Sequence, residues 1–294
     1  MNKGIWYAIG AYVAWGLIPI YFKWLGHVPA LQIVSHRILW SLLLLVAYIL
    51  FARQWLEFRA AIANMRAVRV HVASTALLSV NWLVYVWGVN SGYIVETSLG
   101  YFINPLVSVV MGVLFLHERL RFRQWVAAGL ALCGVVYLAF DYGSPPWIAL
   151  TLAITFATYG LVKKTAPLGP LYGLTLETGI LFLPALVFLV FTDSAGQGAF
   201  LHTGLTSDIL LVCAGLVTTA PLLMFASAAQ RIPLSLLGIL QYIAPTLQFL
   251  LGVLLYKEPF TQSRFTGFAI VWAALIIFWI DGIAARRVST VRTG

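Results

Sequence analysis

Ten long apolar segments, each close to the length of a membrane-crossing helix, constrain this chain more than any other feature. About 20 apolar residues are needed for a helix to cross the hydrocarbon core of a bilayer. The segments are too long and too continuously apolar for strands, and they show no alternation of period two. They predict an all-α integral membrane protein with ten transmembrane helices, at about 4–22, 30–52, 71–91, 95–116, 124–140, 146–163, 172–192, 207–229, 235–256 and 264–282.

The composition agrees with a lipid bilayer as the solvent. Of 294 residues, 62% are hydrophobic and 9% are charged, whereas about a quarter of a soluble domain is charged. The net charge of +9 does not indicate nucleic-acid binding, because the basic residues lie in short loops and form no contiguous face. We therefore expect a membrane protein with no nucleic-acid partner.

The distribution of basic residues predicts the orientation in the membrane. With the two termini and every second connection on one side, that side holds 14 of the 18 Lys and Arg residues. Cytoplasmic connections carry such an excess, so both termini are predicted to be cytoplasmic. One of these connections, 53–69, mixes Trp55 and Phe58 with basic residues and is expected to form a short interfacial helix. The basic residues on this side are Lys3, Arg53, Arg59, Arg66, Arg69, Arg119, Arg121, Arg123, Lys163, Lys164, Arg231, Arg286, Arg287 and Arg292.

The second half of the chain repeats the first at an offset of 140 residues. The strings GVLFLHE and GVLLYKE fall on each other, and the register continues without a gap. Each half has five predicted crossings, an odd number, so the halves would enter the membrane from opposite sides. We expect two inverted five-helix repeats, 1–141 and 142–282, followed by a basic cytoplasmic tail, 283–294. The matched pairs are Lys23 with Lys163, Pro105 with Pro245, Gly112 with Gly252, Glu118 with Glu258 and Asp141 with Asp281.

Arg37 is a charged residue placed within the second apolar segment, directly after His36. A charge at depth is costly, which favours a functional or paired residue. Arg37 would either line a cavity, where it binds a substrate carboxylate or an internal acid such as Glu96, or form a structural ion pair. In the first case His36 and Arg37 together would recognise the charge of a substrate. Reaching to the outer interface is the remaining alternative.

Glu177 lies at the position equivalent to Arg37 in the second half. Burial penalises the charged form of a carboxylate, so Glu177 is a candidate proton carrier. Alternatively, it pairs with Lys163 or Lys164 as an interfacial acid. Glu96 and Glu177 are our candidates for proton coupling or gating.

Polar residues at mid-depth in both halves predict a shared central cavity. Asn81, Asn104 and Gln241 would bind polar groups of a substrate. Pro105 and Pro245 would interrupt their helices at equivalent points, since proline removes a backbone donor. Helix–helix hydrogen bonding and simple packing are the alternatives for each residue. The aromatic candidates for a cavity wall are Trp15, Tyr21, Trp82, Tyr85, Tyr101 and Tyr242.

No enzyme signature is present in the sequence. There is no HExxH, GxSxG or Walker-type motif, and no Cys/His cluster with metal-ligand spacing. Cys133 and Cys213 lie within apolar segments and are expected to be small core hydrophobes. We predict that the chain is not an enzyme and requires no metal or cofactor.

Several long strings resemble the RarD-type permeases, which belong to the EamA group of the drug/metabolite transporter superfamily. They include AYVAWGLIPIYFK (11–23), SHRILWS (35–41), NWLVYVWGVN (81–90), ETSLGYFINPL (96–106), FLHERLRFRQW (115–125) and QYIAPTLQFLLGVLLYKE (241–258). The resemblance implies ten helices in two inverted repeats, a cavity between the halves and a bacterial inner-membrane location. Family naming associates these proteins with chloramphenicol sensitivity or resistance, and the wider superfamily moves amino acids, metabolites and drugs.

We therefore expect a secondary transporter that exports small organic solutes by alternating access. Its expected partners are a small-molecule substrate, the lipid bilayer and protons, and we expect it to act as a monomer. Two alternatives are an integral membrane enzyme on lipid-linked substrates and a non-transporting membrane partner subunit. The scattered acids argue against the first, and the polar residues at mid-depth argue against the second.

Overall fold

The computed structural model describes residues 3–91, 93–142, 146–257 and 262–291. Within these ranges the chain forms α-helices, one π-helical turn and no strand. The elements are α1 (Lys3–Trp24), α2 (Ala30–Phe51), α3 (Trp55–Ile62), α4 (Met65–Asn90), α5 (Ile94–Leu116), α6 (Phe122–Tyr142), α7 (Trp147–Thr165), α8 (Pro170–Ser194), α9 (Leu205–Ala229), α10 (Leu234–Gln241), α11 (Ile243–Leu250), the π-helical turn (Leu251–Leu255) and α12 (Gln262–Val291).

The helices follow the predicted apolar segments closely. In the described part of the chain, eight stretches are long and apolar enough to cross a membrane, with α10, α11 and the π-helical turn counted as one. The helix α7 falls outside this set, and α12 contributes a shorter apolar stretch, Phe265–Phe278. Helix α12 continues to Val291, into the segment predicted as a tail, while Glu258 of the repeat comparison lies outside the described residues.

The helix α3 occupies the connection in which a short helix was predicted. Its Phe58 is buried and packs against Tyr172 of α8, with ring centroids 5.8 Å apart. Tyr172 also donates a hydrogen bond to Glu57 over 2.8 Å. Helix α3 is therefore held against the bundle by its apolar side.

Contacts between connecting segments define two ends of the helix bundle. At one end, which we call the Lys23 end, Lys23 lies 3.5 Å from the ring centroid of Tyr256, and Gln32 bonds to the backbone of the 195–204 loop. At the other, the Lys163 end, Lys164 donates to the Ile232 carbonyl over 2.6 Å. The connections after α2, α5, α7 and α9 meet at the Lys163 end. Together with the adjoining helix ends they hold 10 of the 14 basic residues counted on the cytoplasmic side.

The packing partners of each helix recur when the two halves of the chain are exchanged. Helix α1 packs on α9 and on α10–α11, and its counterpart α7 packs on α4 and α5. Likewise, α2 packs on α9 and α8 packs on α4. The equivalent helices α2 and α8, α6 and α12, and α5 and α10 pack on each other. This pattern is the one that a two-fold axis relating the halves would give.

The two cysteines are exposed, which corrects the expectation that they are core residues. Both Cys133 and Cys213 lie on accessible faces of α6 and α9. In a protein solvated by lipid, an apolar side chain gains little by burial, so an apolar environment in sequence does not imply a core position.

Candidate functional site

A cavity of about 420 Å³ lies between the helices of the bundle. Its walls come from α1, α2, α4, α5, α7, α9, α10 and α11, so both halves of the chain contribute. Small-molecule sites in proteins have about 300–1,000 Å³. Eight residues proposed from the sequence as substrate-binding or helix-breaking line it: Arg37, Asn81, Trp82, Tyr85, Tyr101, Asn104, Gln241 and Pro245.

The cavity occupies the half of the bundle nearer the Lys23 end. Helix α1 lines it from Tyr12 to Lys23 and α4 from Leu78 to Tyr85. On the opposite side, Tyr12 donates a hydrogen bond to the Leu237 carbonyl over 3.0 Å, within the largest apolar core cluster. That core separates the cavity from the Lys163 end.

Arg37 points into the cavity from α2. Its Nε donates to Thr218 Oγ1 over 2.8 Å, and its Cζ lies 5.0 Å from the ring centroid of Trp82 and 5.6 Å from that of Phe22. Within the described residues, no ion pair joins Arg37 to an acid. Cation–π contacts and one hydroxyl thus orient the guanidinium.

Aromatic rings form much of the cavity wall. Tyr85 and Tyr101 meet edge to face with centroids 5.9 Å apart, and Trp15 meets Phe156 at 5.8 Å. Phe156 was not predicted, because an isolated aromatic in an apolar segment carries no sign of the face it occupies. Such a wall favours flat or apolar solutes by stacking.

The amide side chains in the cavity differ in the number of hydrogen bonds that they make to the protein. Asn81 donates to the Leu152 carbonyl and to Thr155, over 2.9 Å and 3.0 Å. Gln248 donates to the Trp15 carbonyl over 3.0 Å. In contrast, Gln241 is 5% exposed, lines the cavity and has no protein partner for its amide in the described part of the chain. Its amide is therefore available to a ligand.

The two predicted helix breaks differ. Helix α5 continues through Pro105 to Leu116, so that proline does not interrupt it, contrary to our expectation. In the second half α10 ends at Gln241 and α11 begins at Ile243, because Pro245 has no N–H for the Gln241 carbonyl. At Pro105 the helices α5 and α10 pack closely, and the Pro105 carbonyl lies against Gly238 of α10.

Several other predicted residues do not line the cavity. His36 is buried against Phe200, with ring centroids 5.2 Å apart. Tyr242 donates to the Phe102 carbonyl over 3.1 Å, which joins the equivalent helices α5 and α10–α11. Glu96 accepts a hydrogen bond from the Ile148 N–H over 2.7 Å and so holds the start of α7. None of these three residues is among those that line the cavity.

Glu177 lies outside the cavity in a buried polar cluster, which we call the Glu177 cluster. It pairs with Lys163 over 2.6 Å and with His71 Nδ1 over 2.8 Å. Ser74 donates to the same oxygen, and Tyr159 donates to the other over 3.3 Å. Glu177 and Lys163 are each 1% exposed. The contacts thus agree with the alternative prediction, in which Glu177 pairs with Lys163. The contacts of Glu177 with His71, Ser74 and Tyr159 were not predicted.

The chain has clear relatives among known proteins. Residues 2–140 match the EamA-like transporter family. Protein RarD of Streptomyces exfoliatus is 47% identical over 291 residues, which cover 99% of this chain and 92% of that protein. The uncharacterized transporter YojE of Bacillus subtilis (strain 168) is 45% identical over 292 residues, which cover 98% and 97%.

A solved crystal structure has the same fold at 19% sequence identity. It superposes with a TM-score of 0.69 and covers 93% of this chain and 96% of its own. That likeness concerns the fold alone, and the relatives establish the family. The chain therefore belongs to the EamA-like transporter family, as a multi-pass RarD-type permease of the drug/metabolite transporter group.

Proposed function

We propose that this chain is a secondary transporter that exports small organic solutes across the bacterial inner membrane by alternating access. Metabolites, amino acids and amphenicol-like drugs are the solute classes that the cavity size allows. The observation that carries the proposal is the central cavity, whose walls come from both halves and contain the half-buried cation Arg37. A non-transporting subunit or an enzyme on lipid-linked substrates would have no use for such a cavity at mid-depth.

The proposed architecture has ten transmembrane helices in two inverted repeats, 1–141 and 142–282, with both termini cytoplasmic. Helices α7 and α12 complete the ten. The recurrence of helix partners between the halves supports the repeats. The concentration of Lys and Arg at the Lys163 end supports its cytoplasmic placement.

With that orientation, a cavity nearer the Lys23 end is nearer the outside, and we propose that this is the outward-facing state. Polar contacts close the Lys163 end. Glu118 accepts hydrogen bonds from Leu234 N and Ser235 N over 2.6 Å and 2.9 Å, and so holds the end of α5 to the start of α10. Lys164 holds α7 to the segment after α9. Alternating access requires these contacts to break when the cavity opens inward.

Flux through the purified chain tests the transport proposal. Proteoliposomes containing only this protein would be loaded with radiolabelled chloramphenicol, amino acids or organic acids, and release would be followed under imposed pH and ion gradients. We expect gradient-dependent release of at least one class. Empty liposomes are the control, and no flux in any condition would refute the proposal.

Cysteine labelling tests the orientation. A variant with Cys133→Ala and Cys213→Ala serves as the background for single cysteines at Arg66, near the Lys163 end, and at His202, near the Lys23 end. We expect a membrane-impermeant maleimide to label the His202→Cys variant in intact cells and the Arg66→Cys variant only after permeabilisation. The reverse pattern would invert the proposed topology.

Protons are the proposed coupling ion, with Glu177 as carrier and Glu96 as a gating residue. The Glu177 cluster supports this, since a carboxylate shared by His71 and Lys163 lies between helices from both halves. The double variant Glu177→Gln with Lys163→Met removes both charges without leaving one unpaired. If Glu177 carries the proton, this variant loses pH-gradient-driven transport but keeps substrate exchange; unchanged coupling would exclude Glu177.

A further inference from the structure

We propose that the cavity selects organic anions that carry a single carboxylate on an aromatic or apolar body, and that Arg37 is the anion-binding residue. The inference rests on the transport function proposed above, because it takes the cavity as the transport site. It specifies the substrate class, which neither the family nor the relatives assign.

The charges of the cavity are one-sided. Among the described residues that line it, Lys23 and Arg37 are the charged ones, and both are cations. Arg37 is half-buried within a membrane-spanning helix, and a cation at that depth without a counter-charge is unfavourable unless something compensates it. An anionic solute supplies that compensation, whereas a cationic solute would add a second uncompensated charge.

The geometry of Arg37 leaves the donors that a carboxylate needs. Its Nε is used by Thr218, and the two terminal nitrogens have no protein partner in the described part of the chain. Two parallel N–H groups match the two oxygens of a carboxylate. The rings of Trp82 and Phe22 hold the guanidinium in place, so little conformational freedom is lost on binding.

One cation at depth balances one negative charge. Lys23 is exposed at the rim, over the ring of Tyr256, and remains hydrated. It attracts anions toward the cavity but does not share their desolvated site. A phosphate monoester, which carries between one and two charges near pH 7, would therefore be left partly uncompensated.

The remainder of the cavity specifies the body of the solute. Tyr85, Tyr101 and Phe156 provide aromatic surface for stacking. Gln241 offers one buried amide without a protein partner for a polar group distant from the carboxylate. A molecule with a ring or short chain, one carboxylate and few other polar groups fits this arrangement.

A charge series of matched ligands tests the inference on the full-length protein in detergent. Indole-3-acetate, indole-3-acetamide and tryptamine have similar bodies and differ in charge; 4-phenylbutyrate and octanoate vary the body. Isothermal titration calorimetry should show the indole carboxylate binding about 10- to 100-fold more tightly than its amide, as charge-assisted bonds are stronger. Tryptamine should bind more weakly than either.

Substitutions of basic residues then test which residue provides the preference for carboxylate over amide. Arg37→Gln should abolish the preference for carboxylate over amide, and Arg37→Lys should keep part of it. Lys257→Gln, which removes an exposed cation outside the cavity, should keep all of it. Thermal stability establishes that each variant is folded. Equal binding of carboxylate and amide, an undiminished preference in folded Arg37→Gln, or no binding of any of the three carboxylates would overturn the inference.

Flux measurements separate this inference from the transport proposal. Arg37-dependent carboxylate binding without flux in proteoliposomes would support the anion site and refute transport. Flux of neutral or cationic solutes that is unaffected by Arg37→Gln would support transport and refute the anion site.

Discussion

Arg37 and Glu177 occupy equivalent positions in the two halves, 140 residues apart, but their surroundings are opposite. Arg37 faces a cavity and receives one hydroxyl and two aromatic rings from the protein. Glu177 is enclosed by a lysine, a histidine, a serine and a tyrosine. A charged side chain within the membrane that the protein pairs is structural or switch-like, while one that it leaves without a counter-charge is available to a ligand.

The largest expected effect is on stability at Glu177. Glu177→Gln leaves Lys163 charged and buried without its partner, and removing one member of a buried pair costs about 3–5 kcal/mol. The free energy of unfolding in detergent should fall by about this amount. The double variant Glu177→Gln with Lys163→Met is the control and should recover most of the loss. If the single variant lost less than about 1 kcal/mol, the cluster would not be a buried ion pair.

At Arg37 we expect a substitution to have little effect on stability and a large effect on transport. Arg37→Gln removes a cation with no acidic partner, so the free energy of unfolding should change by less than about 1 kcal/mol. Transport of the preferred solute should fall about 10- to 100-fold, since charge-assisted bonds to the solute are lost. Paired stability and flux measurements test this. A stability loss as large as that of Glu177→Gln would erase the distinction between the two sites.

A substitution that disturbs the packing of the Glu177 cluster should have a smaller effect on stability. A Cβ on Gly173 would lie 2.5 Å from His71 Cε1, so Gly173→Ala must displace the histidine. Overpacking, partly offset by the gain in helix propensity, should cost about 1–2 kcal/mol. Gly179→Ala on the same helix is the control, because its nearest neighbour would be Leu42 Cδ1 at 3.9 Å. Thermal unfolding of the two variants should therefore differ; equal midpoints would contradict a tightly packed cluster.

The sequence contained enough information to place the helices and to single out several residues that line the cavity. Asn104 could be placed because glycine, serine and other polar residues recur along one face of α5. Lipid-facing and packed surfaces are both apolar, however, so periodicity could not place Phe156 or Cys133. The contact between Glu177 and His71 could not be predicted either, because His71 belongs to α4 and only the tertiary fold brings it to α8.

The smallest expected effect concerns the ring that orients Arg37. Trp82→Leu keeps an apolar wall but removes a cation–π contact at 5.0 Å, which is worth about 0.5–1 kcal/mol at a partly exposed site. Carboxylate affinity should fall about two- to fivefold, and Trp82→Phe should lose less because it retains a ring. Trp87→Leu is the matched control, since Trp87 lies on the same helix and packs on Tyr93 outside the cavity. An equal loss in the two leucine variants would mean that Trp82 acts through the packing of α4, and the Arg37 site would then need no aromatic support.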